Sequence, residues 1–152
     1  MTNPTAKSVR SHDRYGSGAY GASRTSGKRH RAHGGIDFLA SPAQPVYAPI
    51  GGLVSRRCHP YGDGAPGDTG VEIVGGSERE ALRVKLFYVE PVPQTLGSIV
   101  REGEVVGFAV TLQARYPGIS DHVHLEVWEG GARVDPVPYF DDLTIGDGVQ
   151  SA

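Results

Sequence analysis

Two histidines and a carboxylate-bearing loop carry the chemistry this chain could do. In Asp121-His122-Val123-His124-Leu125-Glu126-Val127-Trp128 the imidazoles stand two residues apart within an apolar–polar alternation. Alternation at period two marks a half-buried strand, on which residues i and i+2 face the same side. His122 and His124 therefore project into one space. Two imidazoles aimed at one spot suit a metal ion or shared acid–base work; the plainer alternative is a pair of half-exposed polar strand residues.

Far upstream lies Arg31-Ala32-His33-Gly34-Gly35-Ile36-Asp37-Phe38. His33 and Asp37 are spaced to reach one ion from a loop entering a strand, and the intervening glycines permit a tight turn and close approach. A zinc site that does chemistry uses three protein ligands and keeps one position open. His33, Asp37 and His124 would supply two nitrogens and one oxygen. His122 would then stand beside the ion unligated, placed to act as a base on water. Arg31 is near enough to contact a substrate carboxylate or carbonyl.

The elements that must position these groups are short strands. The chain has 152 residues, enough for one domain with a sizeable core, and is rich in glycine (22) and proline (11). Strand patterns fall at Gln44–Ile50 and Gly51–Arg57 about a Gly-Gly turn, at Val71–Val74, at Leu82–Val89, on either side of Gly103 within Ile99–Val110, and at the two histidines. His59–Gly70 and Gln113–Asp121 read as loops. No internal repeat or amphipathic helix is evident. Many short strands separated by turn signals predict a compact all-β barrel or sandwich.

Residues 1–28 read as a polar tail or groove-covering segment, with Met1–Arg10 a poorly ordered end; 29–140 as the domain; and 141–152 as an acidic tail. The cluster Lys28, Arg29 and Arg31 otherwise reads as a solvated basic face. His12 and His30 read as solvated, His59 as a bystander at a rim, and Cys58, the only cysteine, as a small buried hydrophobe with no disulfide partner. A net charge of -2 gives no electrostatic case for nucleic acid or anionic membrane, and no apolar run has the length of a membrane span. The N-terminus lacks the apolar core of a secretory signal.

Taken in order, His33-Gly34-Gly35-Ile36-Asp37, Pro45-Val46-Tyr47-Ala48-Pro49, Val100 to Gly107, His122-Val123-His124-Leu125-Glu126-Val127 and Val134-Asp135-Pro136 resemble the lysostaphin-type zinc metallopeptidases. Val46-Tyr47-Ala48-Pro49, Lys85-Leu86-Phe87-Tyr88 and Tyr116-Pro117-Gly118-Ile119 look more like the leukocyte cell-derived chemotaxin branch of that fold, whose disulfides this chain cannot form. The resemblance implies a small all-β antiparallel sheet or open barrel with long loops around a groove, and one Zn2+ per chain on His33, Asp37 and His124, with His122 as catalytic histidine. It implies cleavage of peptide cross-links in bacterial peptidoglycan, at the cell wall or periplasm. With no leader evident, delivery by lysis or on a phage particle through virion tail proteins is expected.

Active members usually carry a further histidine in a Tyr-x-His-Leu stretch. The matching residues here read as Tyr88-Val89-Glu90-Pro91, which puts Glu90 at the histidine position. Glutamate can serve as a base, but as an anion it cannot donate to an oxyanion; the plainer reading of Glu90 is a surface residue at a strand end. Tyr88 or Tyr116 would then supply the missing donor, Tyr88 also touching substrate. The chemotaxin branch departs at the same place, and its vertebrate member is viewed as a zinc-binding signalling protein. The alternative is thus an inactive zinc domain that binds peptidoglycan or a protein.

Overall fold

The computed structural model describes residues 1–26, 29–145 and 148–151; Lys28 of the basic cluster lies outside them. Among the described residues fourteen strands follow in chain order. They are β1 (Ser23–Ser26), β2 (Arg29–Ala32), β3 (Ile36–Leu39), β4 (Pro45–Tyr47), β5 (Gly52–Cys58), β6 (Gly70–Gly75) and β7 (Leu82–Phe87). Then come β8 (Val89–Pro91), β9 (Ile99–Val100), β10 (Val105–Ala109), β11 (His122–Glu129), β12 (Ala132–Val134), β13 (Asp142–Ile145) and β14 (Gly148–Ser151). Two short 3-10 turns, Pro93–Thr95 and Val137–Tyr139, are the only helical elements among the described residues.

The main sheet runs β12-β11-β7-β6-β5-β9, with β3 also paired to β11, and a smaller sheet runs β4-β10-β8. Every ladder is antiparallel. The sheets do not close into a barrel, so the all-β antiparallel expectation holds in its open form.

Strand β11 is the hinge of the design. Val123, Leu125 and Val127 on one face are fully buried with Ile36, Phe38, Val84, Leu86 and Ile73. Each such side chain contributes about 1.5–3 kcal/mol relative to exposure. The opposite face carries His122, His124 and Glu126, all buried as well. Register with β3 sets His124 against Asp37 and Val123 against Phe38. The core thus fixes, by alternation, where the polar face of β3 and β11 must lie.

Residues 1–10 are not the poorly ordered end expected from their polarity. Val9 pairs with Phe38 in an isolated bridge and is buried, as are Thr5 and Arg10. The Leu39 and Tyr47 amides donate to Ser8 and Pro4 carbonyls. Polar composition concealed these bonds, since main-chain donors and acceptors carry no sequence signature. The segment 141–152, expected as a loose tail, contains the β13–β14 hairpin, and Leu143 is buried.

Candidate metal centre

The Nε2 atom of His33, the Oδ1 atom of Asp37 and the Nδ1 atom of His124 form a triangle with sides of 2.8, 3.1 and 3.2 Å. Donors bonded tetrahedrally to zinc at its usual bond lengths stand roughly 3.3 Å apart. The triangle therefore matches a zinc-sized ion after a small expansion. All three residues are buried.

The lone pairs are aimed by the groups behind the rings. His33 Nδ1 lies 3.0 Å from the Ala19 carbonyl oxygen, which can only accept. That bond places the proton on Nδ1 and leaves Nε2 as a lone pair facing the centre. His124 Nε2 lies 3.1 Å from Glu126 Oε1, and Glu126 also accepts from Trp128 Nε1 at 2.9 Å and Arg133 Nη1 at 3.2 Å. The carboxylate accepts a hydrogen bond from Nε2–H, which keeps the proton on Nε2 and leaves the Nδ1 lone pair for an ion. Behind His124, Phe87 stacks at 5.6 Å and 3°.

His122 stands beside the triangle. Its Nδ1 donates to the Ser120 carbonyl at 2.8 Å, so Nε2 is the free base, 3.5 Å from Asp37 Oδ2. Burial lowers the His122 pKa below the ordinary imidazole value against the pull of Asp37, which favours the neutral ring. Burial opposes ionisation of Asp37, but His122, His124 and His33 hold its carboxyl well below the usual range. Burial likewise opposes the charged form of His124. Its hydrogen bonds to Asp37 and Glu126 prevail and raise it to about 9 when no metal is bound. A proton and a metal ion are thus alternatives at Nδ1.

Comparison with known proteins gives this geometry a family. Residues 31–136 match the model of Peptidase family M23. The chain belongs to that family. It is 36% identical over 135 residues to leukocyte cell-derived chemotaxin-2 of Mus musculus, covering 89% of this chain and 81% of the relative. Among solved structures, LytU matches with a TM-score of 0.64 at 17% identity, over 91% of this chain and 88% of that one. The catalytic domain of the antimicrobial peptidase lysostaphin from Staphylococcus simulans matches with a TM-score of 0.58 at 19% identity, over 82% and 88%. These two share the fold. M23 peptidases are zinc-dependent in general, and the donor set found here suits that ion.

The remaining candidates lie at different distances from the donors. Tyr88, not Glu90, lines the centre. Its ring meets His122 edge-on, with centroids 5.3 Å apart. Tyr88 has φ 67° and separates β7 from β8. That left-handed residue breaks the alternation, so Phe87 and Tyr88, adjacent in sequence, both reach the site. Glu90 is exposed and engaged elsewhere. It pairs with Arg57 at 2.8 Å and accepts from Thr69 Oγ1 at 3.1 Å. Tyr116 does not contact the donors directly. Its hydroxyl meets that of Tyr61 at 2.6 Å, and Tyr61 meets Tyr88 at 2.7 Å. Arg31 is exposed on β2, with no hydrogen bond or ion pair to the donors among the described residues.

Three contributors escaped the sequence reading. Glu126 had a signal, since it follows His124 by two on the same strand face. Tyr61 sits in a loop with no pattern to single it out. Arg10 had none either, and its guanidinium Nη2 lies 3.0 Å from Asp37 Oδ2.

Proposed function

We propose that this chain is a zinc endopeptidase that hydrolyses peptide cross-links of bacterial peptidoglycan, working at the cell wall or periplasm. His33, Asp37 and His124 hold the ion. The observation that carries the reading is His122: a buried imidazole, tethered through Nδ1 to the Ser120 carbonyl, whose Nε2 faces the donor cluster. A pure binding module needs three ligands and has no use for a fourth imidazole so tethered.

Zinc held by these three residues would supply Lewis acidity toward the scissile carbonyl and a water acidic enough to be nucleophilic near neutral pH. The rest is work for the side chains. His122 Nε2 takes a proton from the attacking water and returns it to the leaving amine. Ser120 holds its ring by the Nδ1 bond, so the base does not rotate away. Tyr88, edge-on to His122, offers a hydroxyl along the wall where substrate would lie, and Tyr61 and Tyr116 extend that wall by hydrogen-bonded hydroxyls. Delivery by lysis or on a phage particle accords with this substrate.

A second reading is favoured by one observation. Among the described residues no second histidine stands beside His122 outside the donor triangle, and a tyrosine occupies the adjoining wall. On that reading the chain is an inactive zinc domain that binds peptidoglycan or a protein partner.

Release of new amino groups from purified peptidoglycan by zinc-loaded protein separates the two. The expected result is amine release by the wild type, loss of zinc and activity in Asp37→Ala, and loss of activity with zinc retained in His122→Ala. Stoichiometric zinc without amine release from several wall types overturns the enzyme reading in favour of the second.

A further inference from the structure

The two oxygens of Asp37 have different partners. Oδ1 belongs to the donor triangle. Oδ2 is 3.0 Å from Arg10 Nη2, with Arg24 Nη2 at 3.7 Å. Arg10 is itself held from behind: its Nη1 donates to the Gly16 carbonyl at 2.8 Å and pairs with Asp13 Oδ2 at 2.8 Å.

The backbone ties the same residues into a closed ring. Arg10 N–H donates to the Asp37 carbonyl (2.7 Å), Gly18 N–H to the Arg10 carbonyl (2.9 Å), and Asp37 N–H to the Gly18 carbonyl (2.9 Å). Gly18 makes this approach possible, since a Cβ there would stand 2.8 Å from Arg10 Cβ and 2.9 Å from Asp37 Cβ. The same segment supplies the Ala19 carbonyl that orients His33. Residues 10–19 are therefore built into the centre on two of its three donors.

Stability gives little reason for this arrangement. Arg10 is 2% exposed, and its Nε has no hydrogen-bond partner. Burying a cation with an unmet N–H is a cost that an apolar side chain would not carry. The guanidinium does something an apolar residue cannot. A carboxylate with a free second oxygen can swing and grip an ion with both. Asp37 gripping in that way would crowd the position that a catalytic zinc site keeps open. A guanidinium remains charged throughout the working pH range and offers Oδ2 a fixed planar donor.

We infer that Arg10 is a positioning residue of the metal centre: by occupying Oδ2 it confines Asp37 to one-oxygen ligation and keeps the remaining coordination position free for substrate and water. This rests on the zinc reading of His33, Asp37 and His124.

X-ray absorption on zinc-loaded wild-type protein tests it directly. One Asp37 oxygen bound to the ion is expected; two bound oxygens overturn the inference. Cobalt substitution provides the mutational arm. Arg10→Met should still take up one cobalt per chain but lose the intense visible absorption of a four-coordinate ion, and Arg10→Lys, which restores a donor to Oδ2, should recover most of it. A folded Arg10→Met protein with the wild-type cobalt spectrum refutes the role. If Arg10→Met fails to fold, the wild-type absorption measurement decides alone. Failure of the wild type to bind either metal defeats the zinc reading and this inference together, whereas metal bound through both Asp37 oxygens defeats this inference only.

Discussion

Glu126 should govern metal affinity without touching the metal. Its Oε1 accepts a hydrogen bond from His124 Nε2–H, with 3.1 Å between nitrogen and oxygen, and its other bonds, to Trp128 and Arg133, fix the carboxylate in place. In Glu126→Leu, His124 Nε2–H loses its acceptor inside a buried site. The remaining partner is Asp37 Oδ1, 2.8 Å from Nδ1, which draws the proton to the atom that must carry the lone pair. Arg133 can turn to solvent, because its side chain is 45% exposed, so the damage concentrates on His124. Loss of such an outer carboxylate typically weakens metal binding by 10–100-fold, about 1.4–2.8 kcal/mol. Glu126→Gln keeps one acceptor oxygen for three donors and should fall between wild type and Glu126→Leu. Competition against a chromophoric chelator reads the affinity, and nitrogen-15 NMR of His124 reads the tautomer. A folded Glu126→Leu protein that binds zinc within about twofold of wild type, with the Nε2–H tautomer retained, would refute the reasoning.

Other changes test other parts of the structure. Gly35→Ala should abolish zinc uptake, because a Cβ there would lie 2.3 Å from the Leu125 carbonyl oxygen and 2.8 Å from the His124 ring; dialysis against zinc followed by elemental analysis checks it, and a stoichiometric zinc content contradicts it. Tyr88→His should raise amine release from peptidoglycan about 10-fold or more by putting a second imidazole beside His122, within the range of a placed acid–base group. Glu90→His should leave the rate unchanged, since Glu90 faces Arg57 and Thr69; equal gains from both variants would show that the wall is misassigned. Asp68 accepts from the amides of Tyr61, Gly62 and Gly64, and despite its burial these bonds lower its pKa from 3.8 to about 2. A depressed carboxyl stabilises the fold above its ordinary pKa and loses that contribution as pH falls. The stability gap between wild type and Asp68→Asn should therefore be full above about pH 4 and shrink toward pH 2, as read by urea midpoints; a gap independent of pH would refute it.

The legible parts of this molecule are those set by periodicity. Alternation in β11 put His122 and His124 on one face, and the spacing of His33 and Asp37 about two glycines singled out the other pair; the structure brings His33, Asp37 and His124 to one spot. Glu126 obeyed the same alternation and was overlooked because charged strand residues are ordinarily solvated. Arg10 could not have been found, because what brings it to Asp37 is a ring of main-chain bonds across 27 residues, and main-chain bonds leave no trace in side-chain pattern. The choice between Tyr88 and Glu90 turned on backbone geometry that pattern does not show. Strict alternation from Leu82 onward makes Tyr88 and Glu90 equivalent, so either could stand where a histidine is expected. The left-handed backbone at Tyr88 abolishes that equivalence: it turns Tyr88 toward His122 beside Phe87 and leaves Glu90 on the outer surface. Non-glycine residues enter that region at a cost of about 1–3 kcal/mol and persist where surrounding contacts over-determine them. Here those contacts are the Tyr61 hydroxyl and the edge of His122. The backbone strain at Tyr88 is therefore coupled to the same side chains on which hydrolysis would depend, and whether Tyr88 can replace an imidazole decides between the enzyme and the binding domain.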